Sequence, residues 1–117
     1  MSRRTDRVAD ELQALVAELL LREIKDPRIG LVTVTNVKIS PDLRHARVYF
    51  STLGDEQKRT QSLRGLISAA GFIRSQVARR LNLRVAPEIH FEFDDSLEQA
   101  ERVARLLKDA LPGDSES

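Results

Sequence analysis

The sequence predicts an α+β domain in which a three-stranded sheet packs on helices, and three observations lead there. Apolar residues recur at helical spacing near the start, at two-residue spacing in three short stretches, and at helical spacing again between and after them. Turn-forming Pro, Gly, Asp and Ser fall at the junctions of those stretches. A length of 117 residues with 41% hydrophobic content supports one core and divides poorly into two. We therefore expect one unit over residues 1–111 and a short flexible tail at 112–117.

The first helix is expected from Thr5 or Asp6 to about Ile24, because Val8, Leu12, Leu15, Val16, Leu19 and Leu20 share one face. Asp26, Pro27 and Gly30 end it: proline disfavours the helical conformation of the residue before it, and glycine permits an open turn. The stretch Leu31–Ile39 reads as a strand. Val32 and Val34 fall on the face opposite to Val37 and Ile39 under strict alternation, so one extra residue near Thr35 and Asn36 is expected to form a bulge. Ser40, Pro41, Asp42 and Leu43 then turn the chain into an antiparallel partner, His45–Ser51, with Ala46, Val48 and Phe50 inward.

Asp55 is placed to cap the next helical segment, whose stripe is Leu63, Leu66, Ile67 and Ala70. Ile73, Val77 and Leu81 continue that stripe, so periodicity alone demands no break. Two features nonetheless point to a kink at Gly71 that divides the segment in two. Phe72 lies nine positions after Leu63, about half a turn round the helix, and so faces solvent. Glycine costs about 1 kcal/mol against alanine inside a helix, which is easier to understand if its freedom or its missing side chain is used. A third strand, Glu88–Phe93, follows Pro87 and alternates Ile89, Phe91 and Phe93 inward. In the last helix Ser96 and Gln99 fit a capping box, Leu97, Ala100, Val103, Ala104 and Leu107 form an apolar stripe, and Pro112 and Gly113 stop it.

The net charge of +1 conceals a split. Residues 1–84 hold 16 basic and 9 acidic side chains, and residues 85–117 hold 3 and 9, giving +7 and −6. Either a basic face for a polyanion with an acidic end, or two solvated faces, accounts for this. The densest basic stretch, residues 57–87, carries Lys58, Arg59, Arg64, Arg74, Arg79, Arg80 and Arg84 and no carboxylate. Small residues at a bend admit a sugar-phosphate backbone, a helix beginning there directs free N–H groups at phosphate, and the arginines add charge-assisted contacts. The competing reading of Gly71 is a packing glycine among solvated arginines.

Other chemistry is poorly supported. Without cysteine there is neither a disulfide nor a thiolate metal site. No signal peptide or membrane-spanning run is evident, so a soluble cytoplasmic protein is expected. His45 and His90 fall on outward strand faces with no partner at metal-ligand spacing, and no metal or cofactor is expected. Asp94 and Asp95 read as helix-start charge rather than a catalytic pair. Neither a phosphate-binding glycine loop nor a nucleophile elbow is present, and an aromatic content of 4% disfavours base stacking on the sheet. An enzyme is not expected.

The order helix, strand, strand, helix, helix, strand, helix looks like the type II K-homology arrangement. Within it, Leu31–Val37, the turn Ser40–Leu43 leading into Ala46–Tyr49, the run Ala69–Arg74 and the triplet Asp94–Ser96 resemble the ribosome-binding factor A family, from about Arg3 to Leu111. That family replaces the GxxG loop of K-homology domains with an Ala-x-Gly kink between helices, matched here by Ala69, Ala70 and Gly71. The resemblance implies a non-enzymatic assembly factor that binds the free small (30S) ribosomal subunit and assists late maturation of its 16S rRNA, notably at the 5′ end and in the cold. The expected RNA contacts are Ala69, Ala70, Gly71 and Phe72 with Arg74, Arg79, Arg80, Lys58, Arg59 and Arg64, assisted by Arg3, Arg4 and Arg7. The expected partners are that subunit, its rRNA and its proteins or other assembly factors, for a monomeric chain with no membrane contact. The alternative is a protein–protein interaction module, docking through the last helix or a sheet edge, with an incidental basic surface.

Overall fold

Val8, Leu12, Leu15, Val16 and Leu19 turn one face of the first helix, α1 (Arg3–Arg22), into the interior. The computed structural model describes residues 3–111, so the expected tail at 112–117 lies outside the described residues. After α1 come β1 (Val32–Ile39), β2 (His45–Thr52), α2 (Glu56–Arg80), β3 (Glu88–Phe93) and α3 (Ser96–Ala110). The three strands form one sheet in the order β1-β2-β3, with α1 against β1 and α2 chiefly against β3. This is the α+β class expected, a three-stranded sheet packed on helices.

β1 and β2 pair antiparallel, Val32 opposite Thr52 and Ile39 opposite Ala46, and the register slips between Val34 and Asn36. The bulge is therefore where the alternation required it: Thr35 is the extra residue. Its hydroxyl is put to use, donating to Asp94 Oδ2 at 2.6 Å and joining the bulge to the end of β3. β3 pairs parallel with β2, His45 opposite Glu88 and Phe50 opposite Phe93, because α2 carries the chain back across the sheet before β3 begins.

The interior gathers Leu12, Val16 and Leu19 from α1, Val37, Ala46, Val48 and Phe50 from the hairpin, Leu66, Ile73 and Val77 from α2, and Ile89 and Phe91 from β3. Burying a side chain of this size contributes about 1.5–3 kcal/mol, and together they hold two helices on one face of the sheet. The segment after α1 is locked onto α2 as well. Ile29 is buried, and its carbonyl accepts from the buried Ser62 hydroxyl at 2.9 Å.

Two expectations are corrected. The segment from Asp55 is one unbroken helix through Gly71, not two separate helices. Asp55 caps it by accepting from the Lys58 N–H at 3.0 Å, and its core stripe stays on one side along its length, so nothing forces a break. One glycine penalty is small against that burial. The helix ends instead at Leu81 and Asn82, where Asn82 takes a left-handed φ of 52° and the Leu83 N–H reaches back to the Ala78 carbonyl at 3.1 Å. The capping box of the last helix also does not form. Asp95 is the N-cap and Ser96 the first helical residue, its N–H donating to Asp94 Oδ1 at 2.9 Å. Among the described residues α3 buries none of its side chains, and Leu97, Val103, Leu106 and Leu107 are exposed.

Candidate nucleic-acid interface

The candidate interface lies on the side of α2 that faces away from the sheet. Steps of four, three, four and four residues set Arg64, Ser68, Gly71, Ser75 and Arg79 along one line of a helix, and all five are exposed. Phe72 sits beside that line, 42% exposed, as its distance from Leu63 required. A Cβ at Gly71 would meet nothing within 4 Å, and Gly71 lies within regular helix, so neither packing nor backbone conformation demands glycine there. Ala69 and Ala70 are half-buried and pack against the core. What remains at Gly71 is a bare patch of helix, open to solvent, between two arginines about four turns apart.

The basic residues of this stretch divide into two groups. Among the described residues Lys58, Arg64, Arg79 and Arg84 have no ion-pair partner, and all four are exposed. Arg59, Arg74 and Arg80 are tied into the fold. Arg59 lies over the Phe93 ring, its guanidinium carbon 3.7 Å from the centroid, and reaches Glu98 at 3.1 Å. Arg74 donates to the Ala86 carbonyl at 3.1 and 3.3 Å, holding the approach to β3. Arg80 pairs with Glu23 at 2.9 Å and Glu18 at 3.7 Å, joining α2 to α1. The expected helix N-terminus at Gly71 is absent, so phosphate would meet side-chain cations there and no free backbone N–H groups.

A second basic site arises from the tertiary fold. A cleft of about 380 Å³ is lined by Arg4, Arg44 and Arg84, with Pro41, Asp42, Leu43, Leu83 and Val85. It joins the start of α1, the β1–β2 turn and the segment after α2, so three arginines distant in sequence converge. Asp42 sets one negative charge among them and shapes the turn, accepting from the Ser40 hydroxyl at 2.6 Å and the Arg44 N–H at 3.0 Å. Those bonds, the Ser40 hydroxyl first, hold the Asp42 carboxyl below the usual aspartate value. Arg3 and Arg7 are exposed on the first turns of α1. Sequence reasoning missed Arg44 because its role depends on which segments the hairpin turn meets.

The two histidines are also corrected. His45 and His90, expected to stand alone, are stacked with centroids 6.0 Å apart on the uncovered face of the sheet. The parallel register of β2 and β3 brings them together, and strand-by-strand reading cannot supply that register.

Comparison with known proteins identifies the company this arrangement keeps. The family model for ribosome-binding factor A matches residues 4–107. Ribosome-binding factor A of Geobacter metallireducens is 46% identical over 109 residues, covering 93% of this chain and 92% of that protein. The crystal structure of ribosome-binding factor A from Thermus thermophilus superposes with a TM-score of 0.66 at 28% identity, covering 75% of this chain and 93% of that one. A homology model of the Thermus thermophilus factor, fitted into a cryo-EM map of its complex with 30S, gives a TM-score of 0.61 at 29% identity, over 74% and 91% of the two chains. Among the described residues no helix is long and apolar enough to cross a membrane.

Proposed function

Because this chain belongs to the ribosome-binding factor A family, we propose that it binds the free small (30S) ribosomal subunit and acts there as a non-enzymatic assembly factor. Its work is the late maturation of 16S rRNA, including the 5′ end, and it matters most in the cold, where RNA rearrangements are slow. The protein acts in the cytoplasm as a monomer. The support for subunit binding in a relative is the Thermus thermophilus factor fitted into a map of its 30S complex.

The observation that carries the reading is the outward line of α2, where Arg64 and Arg79, without ion-pair partners among the described residues, flank the open helix backbone at Gly71. A phosphate backbone can lie close along such a surface, with Ser68 offering a hydroxyl group and Phe72 an exposed ring, while the Ser75 hydroxyl donates to the Phe72 carbonyl at 3.2 Å. Lys58, Arg3 and Arg7, and the cleft of Arg4, Arg44 and Arg84, extend the positive surface. Arg59, Arg74 and Arg80 contribute shape, holding α3, the β3 approach and α1 in place. Mechanism then reduces to differential affinity: the factor favours one conformation of a nearly finished RNA and leaves when the mature form no longer rewards the contact.

The test is sedimentation with separated small subunits, large subunits and assembled ribosomes. The reading expects pelleting with free small subunits alone. Equal pelleting with all three, or with none, overturns it. The uncovered apolar residues of α3 favour a second reading, docking onto a protein partner; binding to RNA-free small-subunit proteins, lost when α3 is removed, would support that one.

A further inference from the structure

We propose that His45, Glu88 and His90 form a binding site for a divalent transition-metal ion of the zinc type. The three side chains project from the sheet face that α1 and α2 leave uncovered, and each is exposed. Their placement follows from strand register. His45 on β2 stands opposite Glu88 on β3, and His90 follows Glu88 by two residues on the same face. One imidazole nitrogen from each histidine and one carboxylate oxygen lie within 4.8 Å of one another.

The geometry is close to that of a filled site. Donors about 2.0–2.2 Å from a tetrahedral ion stand roughly 3.4 Å apart. The His90 Nε2 to Glu88 Oε1 separation is already 3.5 Å. The exposed His45 ring, stacked on His90 with centroids 6.0 Å apart, supplies the third donor. Arg47, which stands opposite His90 in the register, is paired across the strands with Glu92 at 3.4 Å.

The donor set selects the class of ion. Two imidazoles and one carboxylate suit zinc, cobalt, nickel or copper, whereas magnesium and calcium prefer shells made wholly of oxygen. Three protein donors leave at least one coordination position for water or an external oxygen anion. The site stands on the opposite side of the sheet from α2 and is independent of the ribosome-binding reading.

Cobalt(II) titration of the full-length chain, freed of any affinity tag, at neutral pH tests the proposal. The expected result is saturable visible absorption at one ion per chain, displaced by zinc but not by magnesium. H45A and H90A are each expected to weaken binding at least as much as loss of an outer-shell partner does, about 10- to 100-fold. Far-UV circular dichroism should show both variants folded, since the side chains are exposed. An absence of visible bands with cobalt in excess, or binding that both substitutions leave unchanged, overturns the proposal.

Discussion

Gly65 and Ile29 meet so closely that a methyl group on the glycine would stand 2.7 Å from Cγ1 of the isoleucine. Both residues are buried, so the α1–β1 connection and α2 approach each other only because position 65 has no side chain. Gly71, six residues on, has no neighbour within 4 Å of where its Cβ would be. G65A should therefore destabilise the fold by about 1–3 kcal/mol through overpacking. G71A should stabilise it by up to about 1 kcal/mol through helix propensity. Urea denaturation of the two variants checks both signs. The same G71A variant should bind small subunits more weakly, separating a gain in stability from a loss in function.

Arg59 should behave as a structural staple. Its stack on Phe93 and its pair with Glu98 join the first turns of α2 to β3 and α3. The pair is partly exposed, so its value is modest, and R59A should cost about 1–2 kcal/mol from the stack and the pair together. Thermal unfolding measures that loss. The salt dependence of subunit affinity in R59A should stay close to that of the unmodified chain.

Asp94 should give the protein part of its acid sensitivity. Its carboxylate is bonded to Ser96 first and to the Thr35 hydroxyl second, and these contacts depress its pKa below the ordinary aspartate value. A depressed folded-state value means stability that is complete above the unfolded pKa of about 3.9 and lost as pH falls through the folded one. D94N should be less stable at neutral pH and show a shallower decline below about pH 4, as read by denaturation midpoints across pH.

Much of this arrangement is legible in the sequence, and the parts that are not have a common cause. Alternation within Val32–Ile39 and His45–Phe50 specifies a bulge at Thr35, because a buried face tolerates no slip of one residue. Asp55 announces the start of α2 through local chemistry alone. Gly71 misleads because an awkward glycine is consistent with a bend and equally with an exposed, regular helix; only the surroundings of its missing Cβ decide. Gly65, Arg44 and the His45–His90 pair depend on neighbours distant in the chain, Ile29, Arg4 and Arg84, and the parallel register of β3. The exposed stripe of α3 has the amphipathic pattern of a packed helix, and no periodicity reveals whether a partner surface exists.

Salt titration of small-subunit binding tests the outward face of α2 most directly. The unmodified chain should lose affinity steeply as salt rises, as phosphate contacts release counterions. Replacing Arg64 and Arg79 together by alanine should weaken binding at low salt and flatten the log–log slope by about 1.4–1.8, the release expected from two contacts. An unchanged affinity and slope in that double variant, with the fold intact, would contradict the assignment of this face.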